Sequence, residues 1–427
     1  MLSLYRLLTI LAAPMVRIWL KRRLAQGKED GARLNERFGH SSLARPAGPL
    51  LWLHAASVGE SVSTLPLIEQ ILRLPNPPFV LLTTGTVTSA ELMAKRLPTG
   101  AYHQYIPVDL PGAITLFMGH WRPDLAIWIE SEFWPNMLAA LRQRNVPAIL
   151  LNARMSSLSF QRWHKHPKAA ARLLSTFQVC FAQTASDGDR LRQLGAAEVV
   201  CAGNLKLAAA PLPFDLAAEQ ALSSALSGRP HWLAASTHEG EEEQVATAHK
   251  TAKKCYPDLL TILAPRHPTR GAEVAALLRQ QGLTVSQRSL GEVINSEIDV
   301  YLADTLGELG LFYHLCTTAF IGGSLVPVGG HNPLEPAKLN CAILIGPHIF
   351  NFADIIADLE ARSAVMRVEN GEMLGAAIAE ILDDPIVGGK LAEAAAEAVA
   401  GGDEIVQRAL KEVIKRVPEL GDADANP

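Results

Sequence analysis

At 427 residues, 48% of them hydrophobic and 19% charged, the chain is too apolar for a disordered protein and long enough for two domains of roughly 200 residues each. The formal charge of −4 hides an asymmetry, since residues 1–206 hold 23 Lys/Arg against 13 Asp/Glu and the remainder 16 against 30. No nucleic-acid-binding module accompanies the basic half, so an anionic lipid or a phosphorylated substrate is its expected partner and nucleic acid is not. Five isolated cysteines without a CxxC pair imply neither a disulfide framework nor zinc.

The first 28 residues place an apolar run from Leu7 to Val16 between Arg6 and Arg17, with Lys21, Arg22 and Arg23 beyond it. A complete span needs about 20 apolar residues, so the pattern predicts a helix embedded in one leaflet with its basic end among headgroups, a single tilted span being the second choice. A signal peptide fits poorly, because no small-x-small site follows and the strongest positive cluster comes after the apolar run.

From Pro49 onward short apolar runs alternate with amphipathic helices. PLLWLHAAS, PFVLLTTGT, AYHQYIPV, DLAIWIESE, PAILLNAR, QVCFAQT and EVVCAGN are predicted strands; after the proline-containing connector APLPFDLAAEQ the rhythm resumes with HWLAAST, LLTILAPR, DVYLADT, TAFIGGS and CAILIGP. Near-continuous apolar strands predict parallel sheets covered on both faces. The expected organisation is two doubly wound α/β domains, residues 29–207 and 231–427, joined by a linker over 208–230. The last helices are expected outside the second sheet.

In such sheets ligands collect beyond the carboxyl ends of the strands. Five strand ends stand out. HAASVGES brings Glu60 to a helix start, where partial desolvation could raise its pKa toward the range of a general base; a first-turn carboxylate serving only the helix dipole is the equal alternative. WIESEFWPN carries Glu130 and Glu132, which strand alternation would set on one face, to share a proton, hold a sugar or cap a helix. LAPRHPTR ends on Arg266 and His267, suited to a phosphate, although a surface ion pair is the default for a single arginine. STHEGEE reads more readily as an N-cap with helix-start carboxylates than as catalytic. In FIGGSLVPVGGHNPLEP, Gly322 and Gly323 clear room for a ligand beside Ser324, His331 precedes a helix start capped by Asn332 with Pro333 at its first position, and Glu335 sits one turn in, placed for ribose hydroxyls.

The DxD at Asp187-Gly188-Asp189 follows a strand as a helix cap, so no metal-nucleotide site is predicted. A P-loop, a GxGxxG after the first strand and a GxSxG elbow are absent, which lowers ATP hydrolysis, hydride transfer and esterase chemistry. Between Phe133 and Ser186 there is no acid, whereas Arg142, Arg144, Arg154, Arg162, Lys165, Lys168 and Arg172 occur with Phe160 and Trp163 among them. This basic, aromatic surface suits a phosphorylated lipid, with Arg162, Trp163, Lys165 and Lys168 as candidate acceptor contacts.

HAASVGE, ESEFWPN, GNLK, APRHP and GGSLVPVGGHNPLEP, in this order, resemble the 3-deoxy-D-manno-octulosonic acid (Kdo) transferases over nearly the whole chain, including ERFG at Glu36–Gly39. The resemblance implies a GT-B fold, two Rossmann-like domains facing a central cleft, and transfer of Kdo from CMP-Kdo to the tetraacyl disaccharide bisphosphate precursor of lipid A (lipid IVA) at the cytoplasmic face of the inner membrane, with no metal or cofactor. It assigns the general base to Glu60 and a functional carboxylate to Glu130 or Glu132. Donor contacts fall on Lys206, Arg266, His331, Asn332 and Glu335. Leu207-Ala208 stand where many relatives carry an aromatic and an acid, a departure that bears on nucleotide contacts. By analogy, a terminal helix in two-lobed transferases often crosses back to the first domain. The alternatives are a UDP-sugar-dependent transferase of the same architecture and a two-lobed nucleotide binder.

Overall fold

The computed structural model describes residues 2–130, 132–226 and 228–421. The chain forms two compact units, Met1–Ala209 with Gly401–Pro427 and Ala210–Ala400.

Seven parallel strands build the first unit: β1 (Leu50–His54), β2 (Phe79–Thr84), β3 (Ala101–Tyr105), β4 (Leu125–Ile129), β5 (Ala148–Ala153), β6 (Val179–Ala182) and β7 (Val199–Cys201), in the order β3-β2-β1-β4-β5-β6-β7. The chain starts at the centre, steps outward to β3, then returns to the other side of β1, so the direction of winding reverses between β1 and β4. Alternate residues of β1 enter different cores. Leu50 and Trp52 pack with the Pro111–Trp121 and Pro135–Gln143 helices, while Leu51 and Leu53 pack with the Val58–Leu72 helix. Burial on both faces explains the continuous apolar runs, each large side chain contributing about 1.5–3 kcal/mol.

The second unit repeats the plan with β8 (His231–Thr237), β9 (Leu260–Pro265), β10 (Val285–Gln287), β11 (Val300–Leu302), β12 (Thr318–Ile321), β13 (Ala342–Ile345) and β14 (Val365–Arg367), ordered β10-β11-β9-β8-β12-β13-β14. The winding reverses between β8 and β12. All twelve predicted strands form. The two that sequence reading missed, β10 and β14, are three-residue edge strands, too short to show a period.

Two boundaries differ from expectation. The predicted linker 208–230 contains a helix, Leu216–Leu226, whose Leu222 and Leu226 are buried, and Phe214 stacks on His314 of the second unit at 4.2 Å. The final helix, Gly402–Arg416, lies in the first unit rather than on the second sheet. Its Ile405, Val406, Ala409, Leu410 and Val413, at helical spacing, close the core behind β1 with Leu53 and Leu65. The same helix backs the Leu205–Ala208 turn. A side chain at Gly402 would meet the Leu207 carbonyl at 2.2 Å, so only glycine permits that approach.

The N-terminal helix, Leu2–Ala25, is the one helix among the described residues long and apolar enough to cross a membrane. It lies against the first unit. Tyr5 Oη donates to Asp109 Oδ2 at 3.0 Å, Asn136 Nδ2 donates to Thr9 Oγ1 at 3.0 Å, and Leu20 is buried beside Val108, Leu110 and Ala113. Leu4, Leu7, Leu8, Leu11, Met15, Ile18 and Trp19 form its exposed face. The helix is therefore apolar on two sides, with Ala13, Val16 and Leu20 packed against the first unit and a second apolar row left exposed.

Candidate active site

Each winding reversal gathers polar residues at the carboxyl ends of its strands. In the first unit Ser57 caps the Val58–Leu72 helix, its hydroxyl accepting from the Glu60 amide at 3.3 Å. The Glu60 carboxylate reaches back, accepting from Ser57 Oγ at 2.9 Å and from the Ala56 amide at 2.8 Å. This is a variant of the capping box in which the carboxylate takes the amide before the N-cap residue rather than that of the N-cap itself, so the structural role weighed for Glu60 is present. The same carboxyl is only 7% exposed. Burial, then the neighbouring Glu130, push its pKa from the ordinary 4.5 up to about 7, against the pull of its two donors. A carboxyl with that value changes charge near neutrality, as a general base must.

Glu130 and Glu132 part company. Glu130 leaves β4 in the left-handed region, φ 58°, its amide still donating to Leu151 O at 3.0 Å. The turn brings its Oε1 to 2.9 Å from Lys206 Nζ. Glu132 accepts from Trp134 Nε1 at 2.7 Å, and its carbonyl accepts from Trp128 Nε1 at 2.5 Å. The expected side-by-side pair is thus one carboxylate bound to a lysine and one bound to an indole, because the backbone turns at Glu130 instead of alternating.

Lys206 lies on a short turn positioned by a residue absent from the sequence reading. Asn152, at the end of β5 with φ 58°, accepts from the Leu205 amide at 2.8 Å through Oδ1, while Asn204 Oδ1 accepts from the Lys206 amide at 3.0 Å. Asn152 is buried and its Nδ2 has no partner. The available signal was a polar residue closing the apolar strand PAILLNA, the position where function concentrates in this fold.

In the second unit β8 bulges at Ser236, φ 58°, and a side chain at Gly322 would meet the Ser236 carbonyl at 2.4 Å. This contact requires the first glycine of FIGGS. Beyond it the Gly323, Ser324 and Leu325 amides converge on the carboxylate of Glu241 at 2.6, 3.0 and 2.9 Å, and the His238 amide donates to the same group at 3.0 Å. The Ser324 hydroxyl is internal too, donating to Ile321 O and accepting from the Gly346 amide. Gly323 and Ser324, expected beside a ligand, thus have their amides held by the protein's own acid.

His331 meets His238 edge to edge in nearly one plane, ring centroids 5.1 Å apart and 5° from parallel, with Nε2 to Nε2 at 2.8 Å. One nitrogen must donate and the other accept, so the pair cannot be doubly protonated in this geometry. Burial, then neighbouring cationic groups, lower both, His331 to about 4. His267 meets His238 edge-on at 5.8 Å. Arg266 and His267 are exposed at the end of β9, whereas Arg270 pairs with the buried Glu242 at 2.9 Å. Asn332 Oδ1 accepts from the Leu334 amide at 3.1 Å and its Nδ2 donates to Glu335 at 3.2 Å, capping a helix of only five residues, Leu334–Lys338. His238 and Glu241 sit in STHEGEE, whose acids satisfied a capping pattern and so concealed their contacts.

Among the candidate acceptor residues, Arg162 and Lys165 are exposed at the end of the Ser157–His164 helix, and Lys168 is exposed on the Pro167–Leu174 helix. Trp163 is half-buried and meets Phe133 edge-on at 6.1 Å, which makes it partly a packing residue.

Two Rossmann-like parallel sheets, each carrying its polar cluster where the winding reverses, define a GT-B-type fold. The crystal structure of UDP-GlcNAc 2-epimerase from Neisseria meningitidis bound to UDP-GlcNAc shares it, with a TM-score of 0.58 at 12% identity, covering 86% of this chain and 100% of that one. Residues 32–209 match the family profile described as 3-deoxy-D-manno-octulosonic-acid transferase (kdotransferase). The 3-deoxy-D-manno-octulosonic acid transferase of Haemophilus influenzae is 33% identical over 420 residues, covering 95% of this chain and 96% of its own. An Arabidopsis thaliana protein named a probable mitochondrial 3-deoxy-D-manno-octulosonic acid transferase is 35% identical over 393 residues, 90% of this chain and 88% of its own. The chain belongs to the 3-deoxy-D-manno-octulosonic acid transferase family, and is a Kdo-transferring glycosyltransferase.

Proposed function

We propose that this chain moves Kdo from CMP-Kdo to the lipid A precursor, lipid IVA, at the cytoplasmic face of the inner membrane, by an inverting displacement in which Glu60 is the general base. The observation that carries the reading is a buried carboxyl brought to about 7 by its surroundings at the reversal point of the basic unit. In its ionised form Glu60 takes the proton of an acceptor sugar hydroxyl as that oxygen attacks the anomeric carbon of Kdo. The bond from that carbon to the CMP phosphate breaks, and CMP departs with the electron pair. A phosphate leaving group calls for charge stabilisation, which Arg266 supplies with Lys206 as a further cation, while His267 and the uncharged His331 stand beside it as hydrogen-bonding groups. Asn332 orients Glu335, whose carboxylate accepts from the ribose hydroxyls. Glu130, held against Lys206, lends negative field to a transition state of oxocarbenium character, and Glu132 secures the loop through Trp134.

The acceptor's phosphates meet the acid-free surface bearing Arg162, Trp163, Lys165 and Lys168. The outward apolar face of the Leu2–Ala25 helix lies in the membrane interface, with the body of the enzyme on the cytoplasmic side. The test is Glu60→Gln assayed with lipid IVA and CMP-Kdo. The expected result is a fall in transfer of about a thousandfold with CMP binding retained; near-normal turnover removes Glu60 as the base.

A further inference from the structure

Beneath the first turns of the N-terminal helix lies a cavity of about 580 Å³, lined by Arg6, Arg142, Lys168 and Arg172 with Asn136 and Ser3 at its sides, and no carboxylate is among its lining residues. These cations come from three separate helices. Arg142 is anchored from below, its Nη1 donating to the Arg172 carbonyl and, at 2.9 Å, to Thr176 Oγ1. Burial and the proximity of Arg172 lower the Arg142 pKa, the direction expected of cations gathered without a counter-charge. The first residues of the helix, Leu2 and Ser3, complete the rim, and their amides belong to the turn whose N–H groups lack intrahelical acceptors. The cationic cluster is therefore assembled from tertiary structure, distinct from a charged face of one helix.

Its location selects the anion. The exposed apolar row from Leu4 to Trp19 runs along the outer side of the same helix. Further along the same helix lies a second, separately lined cavity of about 640 Å³, in which Ile10, Ala13, Phe38, Leu110 and Leu116 outnumber the polar Thr9, Arg17, His40 and Thr115. A ligand that meets a cationic cavity beside a helix whose exposed row is apolar carries a phosphate and acyl chains together. We infer that this cavity binds the phosphate headgroup of a membrane phospholipid, its arginines gripping the phosphate oxygens while the acyl chains stay in the bilayer beside the helix's apolar row, so that the enzyme reads the lipid it sits on. The inference rests on the interfacial reading of the N-terminal helix and adds to it a particular headgroup site; Arg142, Lys168 and Arg172 come from the same acid-free stretch as the acceptor surface, and of the candidate acceptor contacts named there only Lys168 lines the cavity.

The experiment is flotation of the full chain with vesicles of phosphatidylcholine alone and of phosphatidylcholine containing phosphatidic acid, comparing the parent with the double variant Arg6→Gln, Arg172→Gln. Both side chains are exposed, and an unchanged unfolding transition checks the fold. A second double variant, Lys95→Gln, Arg96→Gln, at the exposed end of the Val87–Arg96 helix, removes the same charge elsewhere. The cavity variant is expected to bind the acidic vesicles roughly thirtyfold more weakly and the neutral ones as the parent does, while the control keeps most of its acidic binding. Loss of neutral binding in the parent itself would refute the interfacial helix. Equal losses in the two variants, or no loss in the cavity variant, would overturn the headgroup site. Displacement of acidic vesicles by inorganic phosphate alone would overturn the lipid assignment in favour of free phosphate.

Discussion

Glu60 and Glu241 occupy equivalent places in the two units. Each follows the first strand of its sheet, stands at the start of the next helix, and is buried beside the strand across the winding reversal. Their surroundings differ. Glu241 accepts from four backbone amides, three of them on the glycine loop, whereas Glu60 has two donors and a second carboxylate, Glu130, close enough to raise it. A carboxylate whose acceptor sites are filled serves as scaffold. One left short of donors beside a like charge is poised to take a proton.

That contrast is sharpest in opposite substitutions. Glu60→Gln carries the largest effect, the thousandfold loss of transfer, with the fold intact. Glu241→Gln does the reverse: the amide oxygen cannot serve four donors, and unfolding of the chain in urea should show a loss of about 3–4 kcal/mol. If Glu241→Gln were as stable as the parent, the glycine loop would not depend on its acid and the comparison would fail.

A smaller effect follows from linkage. Glu60 has a folded pKa above its ordinary value, so its protonated form favours the native state and the charged form opposes it; the cost enters as pH rises from 4.5 through about 7. Replacement by glutamine removes that cost and loses one acceptor interaction. Glu60→Gln should therefore be less stable than the parent by about 1 kcal/mol on the acid side of this window and more stable by about 2 kcal/mol on the alkaline side. Denaturant unfolding at several pH values reads the change of sign, and a constant difference would show that Glu60 is not raised.

Much of the architecture was legible because both faces of each sheet are buried, which writes β1 or β12 as an unbroken apolar run with its polar residues at the end. Glu60 stood out for the same reason. The C-terminal helix was placed only by analogy, since its apolar face fits the outside of either sheet; its packing behind β1 and the close approach of Gly402 to the Leu207 carbonyl appear only in the fold. Glu241 was hidden because a helix-start acid satisfies a capping pattern whether or not a distant loop folds onto it. The separation of Glu130 from Glu132 depended on a left-handed turn at a non-glycine residue, which strand alternation cannot foresee. Asn152 was passed over because strand-end asparagines are common, and its role appears only once the turn bearing Lys206 is in place.

The most direct test of the account is the pH dependence of kcat/KM for Kdo transfer, measured in parallel for the parent and Glu130→Gln, so that ionisations of the substrates cancel in the comparison. The parent should rise with pH to a plateau, half-maximal near 7. In the variant the neighbouring negative charge is gone and Lys206 is left unneutralised, both of which favour the ionised base, so the rise should move to lower pH. An unmoved limb, or one that moves upward, would contradict the assignment of Glu60 as a base tuned by Glu130.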